Sequence, residues 1–304
     1  MAGSFTNQDC HVVDLDALAA LDALQWLRTG DEVFRRFGIS SPTISRQSKK
    51  CLELFDVELQ RVNGELDVVG DSTMLLLERR VHQTARWMGH RPLRLEATYW
   101  SGPLLCTPSP ERWLLGLSNI VGVRRNFQLV RERIVDACVT GLPDVPPYDD
   151  KDLVSINLSS MPVFFVCSPD HPLLKEPHLS FEHIARYPTL GLPTGSYPKV
   201  EASLKSIGLW NDCVRMSRYQ RDAWEGKSEA ELTIGYGTAL SIEISGGSLV
   251  RLPLDLPFLS GESIVVHREF AEHPETTALC DLLMSRLEIF SARYPEIKLD
   301  RNCF

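Results

Sequence analysis

The chain has 304 residues, a length that suits about two domains, and its 43% apolar content is ample for packed cores. No apolar run reaches the roughly twenty residues of a membrane span, and eight scattered cysteines (Cys10, Cys51, Cys106, Cys138, Cys167, Cys213, Cys280 and Cys303) show no CxxC or Cys/His spacing suited to zinc. A net charge of −8 excludes a broadly basic protein, so any surface for nucleic acid has to be local.

The opening MAGSFTNQDC has neither the basic cluster nor the apolar core of a signal peptide, so a cytoplasmic location is expected. Asp14 or Asp16 can cap a first helix whose inward stripe is Ala17, Ala20, Leu21, Leu24 and Leu27. Thr29-Gly30-Asp31 ends it and starts a second, over 31–37, expected to turn Val33, Phe34 and Phe37 inward.

Residues 38–50, GISSPTISRQSKK, then supply the parts of a helix-turn-helix in order. Gly38 can take the positive φ at which a helix ends. Ile39 plugs the angle between helices, Ser40 or Ser41 can cap the next one, and Pro42 fits its first turn. Ile44 then faces inward, while Thr43, Ser45, Arg46 and Lys49 face outward with hydroxyls and cations that suit base edges and phosphates. An ordinary capped surface helix shares the Ser-Pro start. The complete order, with Arg35 and Arg36 before it and no acid between 33 and 52, favours DNA binding. The expected DNA surface is Arg35, Arg36, Ser40, Ser41, Pro42, Thr43, Ser45, Arg46, Lys49 and Lys50. Residues 1–91 carry slightly more acids than bases, so its affinity should be modest and strongly salt-dependent.

SSPTISRQSKKCLELFDVEL resembles the recognition helix and following turn of LysR-type transcriptional regulators, which usually read S-Q-P-A-L-S-x-Q-I-x-x-L-E-x-x-L-G-V-x-L. Ser40, Pro42, Ser45, Gln47, Leu52, Val57 and Leu59 carry the match. The chain departs from that family at Val33 and Phe34, where two alanines usually let the helices approach closely. Phe34 is expected either to widen the crossing or to turn elsewhere. The resemblance implies a wing after Leu59, normally basic at its tip. Asn63-Gly64 is a strong hairpin signal, yet Glu65, Asp67 and Asp71 are acidic and Arg61 is the wing's only cation.

Ser72 is expected to cap a long helix to about His90. Met74, Leu77, Val81, Thr84 and Met88 recur there at steps of three and four, as in a coiled-coil seam. Such a stripe can pair two subunits or pack on its own domain. The resemblance, in which this linker helix dimerises, favours pairing, which would set two recognition helices on two half-sites.

His90-Arg91-Pro92 marks a boundary, after which short apolar strands alternate with helices. LRLEATYW reads as a strand ending at 98–101. Pro103, Pro108 and Pro110 interrupt what is usually a helix in the family. NFQLV reads as a strand, 131–139 as a helix, and GLPDV, with Gly141 and Asp144, as a further family-like strand. MPVFFVCSPDHPLL is similar to the family's P-L-V-x-V-x-P-x-D-H-P-L at Pro162, Val163, Val166, Pro169, Asp170, His171, Pro172 and Leu173. LSFEHIARYPTLGLPTGS, TIGYGTALSIE and GGSLVRLPL follow in the family's order, and the similarity covers about residues 14–294.

The resemblance implies an α/β protein with a winged helix-turn-helix over 1–71, a linker and dimerisation helix over 72–91, and a periplasmic-binding-protein-like effector domain over 92–304. The latter would have subdomains of about 92–162 with 265–304, and about 163–264, crossing near 163–169 and 250–264 around a small-molecule cleft. A small anionic effector is expected, held by hydroxyls and N–H groups at strand-to-helix turns. The expected contacts are Thr98, Tyr99, Trp100 and Ser101, then Thr194, Gly195 and Ser196 with Ser196 as a helix cap, then Gly235, Tyr236 and Thr238. Tyr99, Trp100 and Tyr236 could line the cleft or belong to the core.

No GxSxG, HExxH or phosphate-cradling loop is present, and GYG at 235–237 lacks the third glycine of a dinucleotide fingerprint, so no enzyme activity, cofactor or metal is expected. His171 fits a structural turn. The expected partners are double-stranded DNA, a small effector and further copies of the chain, as dimer or tetramer. The alternatives are a regulator that binds DNA weakly, and a solute-binding protein or enzyme of similar fold.

Overall fold

A computed structural model describes residues 15–210, 212–230 and 232–300, which divide into one unit up to His90, with residues 132–134, and a second from Arg91 onward. The candidate cap Asp14, with Cys10 and Cys303, lies outside the described residues.

The first unit begins with α1 (Leu15–Leu27), which already contains Asp16 in its first turn, so Asp16 is not its cap. Ala17, Leu18 and Leu21 of α1 are buried against Cys51, Val57 and Leu75, whereas Leu24 is half-buried. Thr29 caps α2 (Gly30–Phe37), its hydroxyl accepting from the Glu32 N–H at 3.2 Å, and Gly38 closes that helix at φ 69°. Val33 is fully buried and Phe37 half-buried, but Phe34 is 53% exposed, contrary to the inward placement expected for it. Successive helical residues are about 100° apart, so Phe34 falls outside the stripe that Val33 and Phe37 define. The crossing therefore does not have to accommodate a phenyl ring.

Next comes α3 (Ser41–Phe55), with Ile44, Ser48 and Cys51 buried and Pro42 in its first turn. Ser40 holds the cap position without a capping bond, and its hydroxyl lies 2.9 Å from Thr43 Oγ1. The wing is β1 (Glu58–Val62) and β2 (Glu65–Val69), antiparallel, with Val62 opposite Glu65. Asn63 and Gly64 both adopt positive φ, as a two-residue primed turn requires. In α4 (Thr73–Trp87) Ser72 makes no capping bond. Asp71 does that work instead, accepting from the Thr73 N–H at 3.0 Å. The inner face of α4 buries Leu75, Arg79 and Trp87, and Arg79 meets the equally buried Asp22 of α1 at 2.8 Å. Losing one partner of such a pair strands a buried charge, at about 3–5 kcal/mol.

Among the described residues the second unit has two larger sheets and one small two-stranded parallel sheet, formed by residues 190–191 and 212–213. The first is assembled from β3 (Leu93–Ala97), β4 (Trp113–Leu115), β5 (Ala137–Gly141), β6 (Leu153–Asn157) and, returning later, a strand over Glu262–His267. Between these strands lie α5 (Ser101–Leu105) and α6 (Val123–Arg131). After β6 the chain continues as β7 (Ser159–Cys167), α7 (Phe181–Ile184), β8 (Leu190–Gly191), α8 (Pro198–Ser206) and β9 (Asp212–Cys213). Then follow α9 (Glu225–Ala230), β10 (Gly235–Gly237), α10 (Ala239–Ser245), β11 (Val250–Ser260), β12 (Glu262–His267), α11 (Pro274–Arg293) and β13 (Lys298–Leu299). The first sheet runs β4-β3-β5-β12-β6, parallel through β3 and antiparallel at β12. In the second sheet β7 pairs antiparallel with β10 and β11, and β13 also pairs with β7. The chain passes between sheets at Leu158 and at Gly261, and the Leu158 N–H donates to the Glu262 carbonyl at 2.8 Å. This is the two-subdomain α/β arrangement.

The stretch around 126–139 reverses its expected assignment. NFQLV lies within α6, with Val123, Asn126, Leu129 and Val130 buried at helical spacing, while Ala137, Cys138 and Val139 form a strand buried on both faces. A central strand of a covered sheet is a continuous apolar run, which periodicity alone cannot separate from a buried helix.

Candidate functional site

Each unit carries its own candidate site. On the first, Ser45, Arg46, Lys49 and Lys50 of α3 are exposed, with Pro42 and Ser40 beside them. Ser41 and Thr43 are half-buried, and the Ser41 hydroxyl turns back to Asp31 at 3.2 Å. Arg35 and Arg36 are exposed on α2, with Arg35 ion-paired to Glu32. Lys49 sits 3.6 Å from Glu53. Arg46 has no ion pair among the described residues. Its guanidinium therefore starts from water rather than from a partner, and an incoming acceptor need not displace one.

Of Glu65, Asp67 and Asp71, only Glu65 is buried, and Asp71 stays exposed as a hydrogen-bonded carboxylate. Glu65 lies 3.9 Å from Arg28, and Asp71 is engaged at the start of α4. Arg61 leans over the turn, donating to the Gly64 carbonyl at 3.0 Å. On α4 the expected seam lies opposite the buried face. Met74, Leu77, Val81 and Met88 are 55–70% exposed, and Thr84 is exposed with them. These residues form an exposed apolar stripe on a helix whose opposite face is filled.

In the second unit lies a cavity of about 70 Å³ that opens to solvent. Its walls are largely aromatic: Tyr99, Trp100, Tyr197, Trp224, Tyr236 and Phe258. Tyr99 stacks on Tyr219 at 3.7 Å between ring centroids and meets Trp100 edge-on at 4.8 Å. Trp224 and Tyr236 form another edge-on pair at 5.5 Å. The Trp100 ring is fixed from two sides. Its Nε1–H donates to Glu262 at 2.9 Å, and a Cβ at Gly141 would come within 3.2 Å of Cζ2, so the glycine makes room for it. Among the described residues no lysine, arginine or histidine lines the cavity.

The donors expected to receive an anion are engaged internally. Thr98 and Ser101 hydroxyls lie 2.6 Å apart, the Ser101 N–H donates to Thr98 Oγ1 at 3.2 Å, and Ser101 Oγ donates to Glu262. Glu262 is buried, and that burial pushes its carboxyl up to about 7 against the opposing pull of the Ser101 and Trp100 hydrogen bonds. On the other side the cap of α8 is Tyr197, not Ser196. Asp144 accepts from the N–H groups of Lys199 at 2.8 Å and Val200 at 3.1 Å, and the Gly195 N–H donates to Glu201 at 2.7 Å. Thr98, Ser101, Thr194, Gly195, Ser196 and Gly235 accordingly do not line the cavity, whereas Tyr99, Trp100, Tyr236 and Thr238 do. Thr238 and Ser241 satisfy each other as the capping box of α10. Sequence reasoning missed Trp224, Tyr197 and Phe258. Phe258 lies in the alternating Pro-rich run of β11, and Trp224 in a polar stretch with no period to flag it.

Other chemistry is muted. His171 is buried against Tyr187, and its Nδ1 accepts from the Leu173 N–H at 3.2 Å, a turn-closing role. Burial pushes the thiols of Cys51 and Cys106 up to about 12 and that of Cys167 up to about 11, far from thiolate at neutral pH. Cys138 and Cys280 are also buried, and the side chain of Cys213 lies outside the described residues. Among the described residues no group of His, Cys, Asp or Glu is arranged to hold a metal, and no helix is long and apolar enough to cross a membrane.

Residues 121–287, more than half of the chain, match the family model of the LysR substrate binding domain. No curated protein matches the sequence. Among solved structures, a full-length OxyR variant from Pseudomonas aeruginosa has a TM-score of 0.57 at 16% identity, covering 90% of this chain and 95% of that one. An OxyR mutant from Corynebacterium glutamicum has a TM-score of 0.52 at 14% identity, covering 93% and 95%. A probable transcriptional regulator from Pseudomonas aeruginosa gives 0.52 at 14%, covering 90% and 96%. At such identities these likenesses speak for the fold alone.

Proposed function

The chain belongs to the LysR family of transcriptional regulators, and from that premise we propose that it binds double-stranded DNA through α3 as a homodimer joined along α4. A small molecule in the cavity of the second unit would alter that binding. The observation that carries the reading is the outer face of α3, where Ser45, Arg46, Lys49 and Lys50 stand exposed and Arg46 is not committed to an acid among the described residues. Hydroxyls and cations at the start of such a helix suit base edges and phosphates. Burial of Glu65 near Arg28 turns one of the wing's acids away from solvent.

The exposed apolar stripe of α4 supports pairing with a second copy. Val81→Asp places a carboxylate at its centre, where an unpaired buried charge costs several kcal/mol. In sedimentation the wild-type chain should run as a dimer or larger and the variant as a smaller species with an unchanged melting temperature. In salt-titrated retention on the DNA upstream of its own gene, the variant should also lose cooperative binding. An intact oligomer in the variant would assign the stripe another role, and no retention of DNA by the wild type at low salt would overturn the regulatory reading.

A further inference from the structure

The cavity wall carries six aromatic side chains and, among the described residues, no cation, and carboxyl groups of the same chain take the donors of Ser101, Trp100, Gly195, Lys199 and Val200. At one turn Glu262 takes the hydrogen bonds of Ser101 and Trp100. At the other, Asp144 takes the N–H groups of Lys199 and Val200, the first turn of the nine-residue α8. That turn is where a helix offers partial positive charge to an anion, and an anion is already there. An anionic ligand would give up its hydration for a wall without a counter-charge, with Glu262 directly behind the Trp100 ring. A cationic ligand fares no better, because neither Glu262 nor Asp144 lies on the wall.

We propose that the cavity takes an uncharged, planar ring-bearing ligand, and that the carboxyl groups of Asp144 and Glu262, behind the wall, already use donors that an anionic effector would need. This rests on the reading of the cavity as the ligand site. Flat rings suit the place because Trp100 is immobilised against Gly141 and tied to Glu262, and because the Trp224–Tyr236 and Tyr99–Trp100 pairs already display the edge-on geometry that a further ring can extend. On the wall the hydroxyls of Thr238 and Ser241 are used in capping α10.

The test uses the full-length chain and calorimetric titration with indole (planar, uncharged), benzoate (planar, anionic) and cyclohexanol (uncharged, not planar). Indole should bind saturably, and benzoate and cyclohexanol at least about tenfold more weakly, given the cost of burying an unpaired charge and the loss of ring contacts. Val163→Trp, which fills the cavity from β7, should abolish indole binding, and Phe258→Ala, which removes part of the wall, should weaken it several-fold. If Val163→Trp does not fold, Phe258→Ala decides. Benzoate binding as tightly as indole, no saturable indole binding, or indole binding that ignores the wall substitutions would each overturn the proposal. Retention of upstream DNA, measured on the same preparation, separates the two readings: DNA retained without indole binding sinks only the ligand class, and the reverse sinks only the regulator.

Discussion

The outer face of α3 and the turns beside the cavity of the second unit were each expected to present hydroxyls or N–H groups to an anion, phosphate in one case and effector in the other. They end up opposite. On α3 the Arg46 guanidinium and the Ser45 hydroxyl are exposed to water. Around the cavity the equivalent donors are closed by Glu262 and Asp144. A donor-rich turn thus identifies an anion site only when the chain does not supply the anion itself. Buried polar groups find partners because leaving one unmet costs about 1–3 kcal/mol, whereas exposed ones can wait for a ligand.

Substitutions that unseal the closed side, or blunt the open one, sharpen that contrast. The largest effect should come from Glu262. Its carboxyl sits near 7 in the folded chain, above the ordinary 4.5, so folding favours the protonated form. The associated stability is fully present below the unfolded value and is lost as pH rises through the folded one, a total of about 3 kcal/mol at about 1.4 kcal/mol per tenfold change in proton affinity. The wild-type melting temperature should therefore fall between pH 5 and pH 8, and Glu262→Gln should flatten that fall. An identical slope in both proteins would show that this carboxyl is not held protonated.

Arg46→Ala tests the open side. It should weaken DNA binding by about 1–3 kcal/mol if the guanidinium reads a base, or lower affinity for every sequence and shrink the salt slope by about one if it meets a phosphate. The melting temperature should not move, since no ion pair is lost. Unchanged affinity and slope would remove Arg46 from the interface.

Smaller effects are expected at the two seals. Asp144→Ala leaves the Lys199 and Val200 N–H groups without their acceptor and should cost about 0.5–2 kcal/mol, as loss of a helix cap does, read by urea denaturation. Thr98→Val removes two neutral hydrogen bonds, to the Ser101 hydroxyl and from the Ser101 N–H, and should cost about 1–2 kcal/mol of stability. Ligand titrations should be little altered, because Thr98 does not reach the cavity wall. A selective loss of ligand binding without loss of stability would put Thr98 back in the site.

Much of the first unit was legible because its causes are local. Gly38, Pro42 and Asn63-Gly64 set backbone angles within their own turns, and the alternation of Met74, Leu77, Val81, Thr84 and Met88 fixes one face of one helix. Misreadings there were matters of a single step along the chain: Phe34 lies one helical step off the buried stripe, and Asp71 caps α4 in place of Ser72. In the second unit, the family's order of motifs placed the strands around the cavity, but the helix and strand at 123–141 were exchanged because a strand covered on both faces has no alternation to read.

By itself, then, the sequence determined the helix-turn-helix with its outward cations and the periodicity of the α4 stripe, since each follows from spacing within a few residues. Only the tertiary structure decided which donors remain available. Ser101 meets Glu262 across 161 positions of sequence and Lys199 meets Asp144 across 55, and no local pattern encodes a hydrogen bond closed over such a distance. The same holds for the aromatic wall, where Tyr99, Trp224 and Phe258 converge from different elements because the chain crosses between two sheets at Leu158 and Gly261.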